Sequence, residues 1–539
     1  MDDLQRQLHQ QLASGERLAV GWGVSGYVEY QLRFSPYPFQ YLVDGNGQLA
    51  GTQLNGVPVI NAQQLAALDP KRYVIVVLAE WARFGQEICL QAQALGFTAL
   101  PPAVASELAD AFPTQYFEAV FDQLAMDNPP VPRHPHVAVL YIQSLVKGGA
   151  ERQIVLLAQG LTELGYQVHL VCQSPDHPAT LGWQRQLQEM GVQRQLFPNP
   201  RKLWAEQPPT SEELKVLADF APYLRVRGLH NVLCMQRILR QLQPELLVSY
   251  LDDGNLSSAV AGIWSGQART LLSCRNTQPD AHWDKQHQDF YICPRSHLYH
   301  WYRKLCELSR LCVYHNSGSG AVSYKTWLQQ ENIVSRIVTN AVAPVTSSNG
   351  INIRSRFNLN DSCTIILGIM RLSPEKNPDG FINLIAALLK NGVSVVGVLL
   401  GDGPMRYELQ QLIVKLDMQS SLVMPGYVDD TNPYLLQADL IVVPSHQEGM
   451  PNVVMEALAT GCPIVCTRAG GAVQLMEQSL SEWLVDIDNS DQLLQTSLQA
   501  LRNLACYRAD LVKIQANFLQ QHGIKMLAAN TISLNEAET

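Results

Sequence analysis

The sequence predicts an α/β chain: two tandem doubly wound units, each a parallel sheet wrapped by helices, behind a smaller α/β unit. Three observations predict it. Short, wholly apolar runs alternate with amphipathic helical patterns twice along the chain, as buried parallel sheets require. A Pro-rich stretch, MDNPPVPRHPH from Met126 to His136, separates a first block from these two. The chain has 539 residues, more than one core holds.

The first block, residues 1–125, opens with RLAVGWGVSGY, an apolar strand running into glycines. FQYLVDGNGQ, RYVIVVLAE and GFTAL supply further strands, with a helical pattern between the last two. After the linker at 126–136, the second unit covers residues 137–338. Strand HVAVLYIQ leads through a glycine turn into the helix of KGGAERQIVLLAQGLTELG, and YQVHLVCQ completes a βαβ unit. ELLVSYL and ARTLLSC are later strands, and Pro175 to Arg240 predicts only scattered helix. The third unit covers 339–539, with its last helix expected to cross back. TIILGIMR, SVVGVLLGDG, LVMPGYV and ADLIVVPS are its strands; NPDGFINLIAALLKNG, MRYELQQLIVKL and NVVMEALATG are helices, the last closed by Gly461 as a C-cap.

Composition excludes several classes. The chain is 47% hydrophobic and 16% charged, with 39 basic against 48 acidic residues and a formal net charge of −9. A general nucleic-acid binder is usually basic, so no nucleic-acid partner is expected. The eleven cysteines are dispersed, with no Cys-x-x-Cys pair, as in a reducing cytosol. The start, MDDLQRQLHQQ, is no signal peptide, and no apolar run approaches the length of a membrane span. These features predict a cytoplasmic protein.

The segment richest in chemistry is PSHQEGMPNVVMEALATGCPIV, Pro444 to Val465. Ligands of open α/β sheets bind outside the carboxyl ends of strands. Glu448 therefore hangs in a strand-to-helix loop, and Glu456 lies about one turn inside the following helix. The loop EGMPNV presents free backbone N–H groups at that helix start, which suits a phosphate or sugar oxygen. A carboxylate accepts hydrogen bonds from vicinal hydroxyls such as those of a ribose. Spacing alone favours a solvated Glu448 and a merely capping Glu456.

The surrounding motifs decide between these readings. SHQEGMPNVVMEALATGCPIVCTRAGG resembles the E-x7-E signature of retaining glycosyltransferases with two Rossmann domains, the GT-B architecture, in the group-1 or family-4 class. GIMRLSPEKNPDGFINLIAAL, LLGDGPMRYELQQLI, MPGYVDDTNPYLLQADLIVVPS and SLVKGGAERQIVLLAQGL match the same family in the same order. The resemblance covers Val137 to the C-terminus. It implies that Glu456 holds ribose hydroxyls of a nucleotide-sugar donor and that Glu448 touches the donor sugar or its transition state. It implies Gly449, Met450 and Pro451 beside the hexose, and Asn452 and Val453 near the diphosphate. Arg371 and Lys376 would grip that diphosphate, Gly148 and Gly149 would let backbone approach it, and Tyr427 would border the base. Two cations can neutralise a departing diphosphate, so no metal or other cofactor is expected. The contiguous pair Asp252–Asp253 reads as a solvated loop or acceptor contact.

Two positions depart from the family. Where many members carry a histidine after a late strand of the first Rossmann domain, this chain has Arg275 in LLSCRNTQPDAHWDK. Arg275 is favoured to take over that contact, with His282 as the alternative. After the glycine pair of GGAVQLM a glutamate is common; Gln474 stands nearby and receives no role.

In the front unit, Gly21, Gly23 and Gly26 of GWGVSG follow a strand, and Asp44 lies at a distance that suits a ribose contact. The block resembles small Rossmann-like domains ahead of bacterial sugar-modifying enzymes. Scaffold or docking is favoured over ligand binding there. RSHLYHWYRKLCELSRLC and YLRVRGLHNVLCMQRILRQ carry basic residues compatible with a peripheral membrane contact, although an amphipathic helix packed on its own sheet is the favoured reading of each taken alone. The resulting expectation is a retaining, metal-independent transferase. It would move a sugar from a nucleotide sugar to a hydroxyl of a glycan or lipid-linked acceptor, in bacterial polysaccharide or glycoconjugate synthesis. The alternatives are a nucleotide-sugar epimerase of the same fold, a dinucleotide-dependent oxidoreductase built on GWGVSG, or a non-catalytic sugar-binding partner.

Overall fold

A computed structural model describes residues 3–24, 26–79, 82–100, 114–145, 148–173, 181–279, 281–284, 289–292, 296–330, 333–345, 350–360, 362–428 and 430–536. Three parallel-rich sheets carry the fold. The front sheet orders Gln53–Leu54, Val57–Ile60, Phe39–Val43, Leu18–Trp22, Tyr73–Val77 and Thr98–Leu100, parallel except for the first pair. The middle sheet orders Arg336–Ile337, Leu311–His315, Thr270–Cys274, Pro244–Tyr250, His134–Tyr141, Gln167–Cys172 and Gln193–Leu196. The last orders Leu422–Gly426, Val395–Leu400, Thr364–Ile369, Leu440–Val443, Ile464–Thr467 and Leu484–Val485. Every pairing in these two sheets is parallel.

The apolar runs form these strands because both faces of each sheet are covered. Val395–Leu400 and Leu440–Val443 are buried at every position. The expected C-cap is present: Gly461 adopts φ 70°, closing the helix Asn452–Thr460. Several strands went unread, Leu311–His315 and Leu484–Val485 among them. So did one in the stretch after Pro175: Gln193–Leu196 (QRQL) is a polar edge strand, and the rest of that stretch holds helices Leu181–Glu189, Pro200–Glu206, Ser211–Phe220 and Val226–Leu242.

Packing moves the first boundary. The expected linker starts at residue 126, but helix Thr114–Asp127 buries Phe117, Phe121 and Leu124 in the middle unit, against Phe220, Tyr223 and Trp301. His134–Tyr141 is already a strand of that unit's sheet. The proline run thus joins a helix and a strand of one core. The front sheet docks through helix Val28–Phe34: Tyr30, fully buried, sits edge-on to Trp204 and His230, with ring centroids 5.3 and 5.6 Å apart. At the other end, helix Ile524–Glu536 returns to the middle unit. Leu527 and Ala528 pack in its core, and Gly160 is buried because a side chain there would overlap Ile524 and Ala528.

A chain starting at residue 128 is therefore expected to melt well below one starting at 114. The shorter chain loses two buried phenylalanines, each worth about 3–5 kcal/mol on truncation to alanine. Equal melting temperatures for the two would refute this packing.

The two basic stretches lie on their own core. In helix Ser296–Glu307, Trp301 and Tyr302 are fully buried, and Lys304 pairs with Asp122 at 2.8 Å. In helix Val226–Leu242, Arg237 pairs with Glu213 at 2.7 Å. Among the described residues no helix is long and apolar enough to cross a membrane. The ten cysteines among them are all unpaired.

Candidate active site

In the last sheet the chain runs outward in both directions from Thr364–Ile369, so the crevice between that strand and Leu440–Val443 is the topological switch point. The loops leaving both strands meet there. Backbone N–H groups of His446 and Gln447 donate to the Glu375 carbonyl at 2.9 and 3.2 Å, and Asn377 Nδ2 donates to the Pro444 carbonyl at 3.1 Å. The lacing sets Lys376, at the end of a 3-10 turn, against Glu448: Nζ to Oε2 is 2.7 Å. Ser445 Oγ donates to the other carboxylate oxygen at 2.8 Å. Gly470 (φ 54°) lies so close behind this loop that any Cβ would overlap the Glu448 carbonyl.

Glu456 points from the helix Asn452–Thr460 into the seam with the middle unit and is 3% exposed. Its partner is Arg152, in the first turn of helix Gly149–Glu163. Burial raises the Glu456 carboxyl above the usual range, and the Arg152 charge opposes that rise. Burial raises the Tyr427 phenol, and the Arg152 charge opposes that rise. Glu151, beside Arg152, is folded back over Gly148, and burial pushes its carboxyl up to about 7.

Asn452 knits the seam. Its Oδ1 accepts from Asn340 Nδ2 at 2.6 Å and from Gln153 Nε2 at 3.1 Å, and its Nδ2 donates to the Gly149 carbonyl at 3.2 Å. Asn340 Nδ2 also reaches the Met450 carbonyl at 3.1 Å. Pro451 is the backbone N-cap of this helix, and Val453 packs on the core beneath. Arg275 leaves the end of strand Thr270–Cys274, 6% exposed, with its guanidinium 4.5 Å over the Tyr250 ring and bonded to Asn340 Oδ1. Its Nε has no hydrogen-bond partner among the described residues. Gly449 abuts the Arg275 carbonyl so closely that no side chain fits. The structure thus brings Arg275, Gly149, Gly449, Met450, Asn452 and Glu456 into one seam, with Lys376 and Glu448 beside it.

Other candidates stand apart. Arg371 is exposed at the mouth of the crevice. His282 lies on the hairpin strand Ala281–Asp284, and its side chain is outside the described residues. Gln474 crosses the seam, accepting from the Gly318 N–H at 3.0 Å. Asp252 takes a 2.6 Å hydrogen bond from the Tyr302 hydroxyl. In the front unit, Gly21 lies inside its strand, where a Cβ would come within 2.8 Å of Leu42 and Leu78. Gly23 turns at φ 97°, and nothing lies within 4 Å of a Cβ at Gly26. The Asp44 carboxylate accepts from the N–H groups of Asn46 and Leu49, at 3.2 and 2.8 Å, which gives it a turn to hold.

Arg152, Gln153 and Asn340 were not singled out in the sequence. The first two follow the glycine pair of GGAERQ, and a helix starting there carries its first turn into the cleft. Asn340, in VTNAV, gave no signal.

Residues 351–515 match the family model for Glycosyl transferases group 1. Chain-wide likeness reaches further. The Vi polysaccharide biosynthesis protein VipC/TviE of Salmonella typhi is 24% identical over 408 residues, 70% of this chain and 67% of that protein. The last unit carries a group-1 glycosyltransferase domain. The family's GT-B fold is seen in the crystal structure of HepE from Anabaena in complex with UDP and glucose, which superposes with a TM-score of 0.59 at 18% identity, covering 74% of this chain and 99% of HepE. A further relative is the N-acetylgalactosaminyltransferase of Campylobacter jejuni that acts on N-acetylgalactosamine-N,N'-diacetylbacillosaminyl-diphospho-undecaprenol. It is 32% identical over 168 residues, 29% of this chain and 45% of that protein. The family match falls on the unit that holds Lys376, Glu448 and Glu456.

Proposed function

We propose that this glycosyltransferase moves a sugar from a nucleoside-diphosphate sugar to a hydroxyl of a glycan or lipid-linked acceptor, with retention and without a metal ion. The convergence of Lys376, Glu448 and Glu456 at the switch point carries the reading. Glu456 is the ribose acceptor, and Tyr427 borders the base. Arg371 and Lys376 face the diphosphate, which also meets the backbone of Gly148 and Gly149 at a helix start. As the bond from the sugar carbon to the diphosphate oxygen breaks, negative charge grows on the leaving phosphate, and the two cations stabilise it. The acceptor hydroxyl attacks from the same face and passes its proton to that phosphate, so no separate base is required. Glu448, held by Ser445 and Lys376, lies beside the sugar. Arg275, pinned on Tyr250 and Asn340, contacts it from the opposite unit. The complex of HepE with UDP and glucose supports a UDP-type donor, and the Campylobacter relative supports an acceptor on a lipid diphosphate. The front unit is a scaffold, docked through Tyr30.

The test is incubation of the full chain with a panel of nucleotide sugars, in EDTA, following release of nucleoside diphosphate. One donor is expected to turn over slowly in EDTA as in magnesium. Release that vanishes in EDTA and returns with manganese or magnesium contradicts the charge assignment to Arg371 and Lys376. A donor whose sugar is isomerised while still attached indicates an epimerase instead.

A further inference from the structure

We infer that Asn340 is a positioning residue: from the connection between the two large units, its side-chain oxygen orients Arg275 on one wall of the cleft and its nitrogen holds the Met450–Asn452 turn on the other. This rests on the transferase reading above, in which Arg275 contacts the donor sugar. The chain changes core at this point. Ala341 packs in the core of the middle unit and Val342 in that of the last. The return crossing lies alongside: Phe518 packs in the last unit's core and Leu527 in the middle one. The Val342 N–H donates to the His522 carbonyl at 2.9 Å, so the two crossings are bonded to each other. Gln153, 1% exposed, fixes the first of them: its side chain accepts from the Ala341 N–H and donates to the Ala341 carbonyl, both at 2.8 Å.

Asn340 itself is 3% exposed, and its amide is used on both sides. The Arg275 guanidinium can only donate, so it meets Oδ1. The Met450 carbonyl can only accept, so Nδ2 points to it, at 3.1 Å, and also to Asn452 Oδ1 at 2.6 Å. Two partners of opposite kind therefore fix which way the amide faces. An alanine here would meet neither wall, and a carboxylate would serve Arg275 alone.

Arg275 depends on this oxygen. Its other side-chain contacts are the Tyr250 face at 4.5 Å and a 3.4 Å hydrogen bond to Ser273 Oγ, and its Nε has no hydrogen-bond partner among the described residues. Stacking on a ring leaves a guanidinium free to turn in its own plane, whereas a hydrogen bond to one nitrogen sets the direction of the others. Without Asn340 the guanidinium would keep its place on Tyr250 and lose its heading. The Met450–Asn452 turn is where helix Asn452–Thr460 begins, on the side proposed for the diphosphate. The two ends of one amide thus act on different parts of the donor. The oxygen acts on the sugar through Arg275, and the nitrogen acts on the diphosphate through the turn.

Steady-state release of nucleoside diphosphate by the full chain, from the donor that wild type turns over, tests this through a double-mutant cycle. Asn340→Ala is expected to lower kcat about 10- to 100-fold, a typical loss for a hydrogen bond to a charged group, and to raise donor KM. In an Arg275→Ala background the same change should lower kcat by less than about threefold, since the oxygen then has nothing to orient. Asn340→Asp keeps the acceptor for Arg275 and loses the donor to Met450 and Asn452. Its kcat should stay within about threefold of wild type while donor KM rises about tenfold. A purely structural role would add the losses at the two positions and would not separate kcat from KM. Melting curves show which variants fold, and if Asn340→Ala does not, Asn340→Asp carries the test alone. The inference is overturned if folded Asn340→Ala keeps the wild-type kcat, if its loss is undiminished in the Arg275→Ala background, or if Asn340→Asp loses kcat by about tenfold or more. Failure of the transferase reading shows separately, as absence of nucleoside diphosphate release by wild type from every donor.

Discussion

Lys376→Ala is expected to lower kcat by about 10²–10³, with donor KM changed by only a few fold. A charged contact that strengthens as the leaving group departs is worth roughly 2–4 kcal/mol to the transition state. Lys376 is placed for that contact: its ammonium lies 2.7 Å from Glu448 Oε2 and 3.3 Å from the Gln447 carbonyl, between the loops that leave the two switch-point strands. The diphosphate is already an anion in the bound donor and gains further charge as the sugar leaves, and it is that gain whose loss falls on kcat. Because the loops are held by backbone hydrogen bonds from His446 and Gln447 to Glu375, the alanine variant should keep its melting temperature. A variant that raised KM alone would place Lys376 on the ground-state donor and remove it from the chemistry.

Glu456→Ala is expected to raise donor KM about 10- to 100-fold with kcat little changed. Hydrogen bonds to a charged group are worth about 1.5–3 kcal/mol, and ribose hydroxyls gain no charge as the glycosidic bond breaks. In the free protein Arg152 occupies this carboxylate, so the ribose must share or displace it. Arg152 is 27% exposed at its side chain and rehydrates when Glu456 is removed, which keeps the alanine variant folded. The reverse change behaves differently. Burial raises the Glu456 carboxyl and Arg152 holds it down, so Arg152→Ala lets it rise further. A protonated carboxyl accepts ribose hydroxyls poorly. Nucleotide affinity of Arg152→Ala should therefore begin to fall at a higher pH than in wild type, as pH is lowered. Identical pH profiles for nucleotide binding would refute the pairing.

The sequence carried the geometry of the Glu448–Glu456 segment because its information is local. Glu448, Gly449 and Glu456 sit within one strand–loop–helix, and the fold of that segment alone aims them at the cleft. Lys376 was legible for the same reason. What the sequence did not show depends on segments that meet only after folding. Arg152 and Glu456 are 304 positions apart, and Asn340 and Asn452 are 112 apart. Neither pair has any periodic signal. The proline run misled for a related reason: proline marks a break in regular structure, but what decides a domain boundary is packing, and Phe117 and Phe121 pack forward into the middle unit. The polar strand Gln193–Leu196 escaped because an edge strand need not be apolar. Gly21 fits a nucleotide motif by spacing, yet in the fold it makes room for Leu42 and Leu78.

The central claim is transfer from a nucleotide sugar with retention, and proton NMR of the anomeric centre tests it most directly. The full chain is incubated with the donor that turns over, and the first sugar product is read before mutarotation. The account predicts nucleoside diphosphate release with the sugar appearing in the donor's own anomeric configuration. An inverted product would contradict same-face attack, and no release from any nucleotide sugar would contradict the account as a whole.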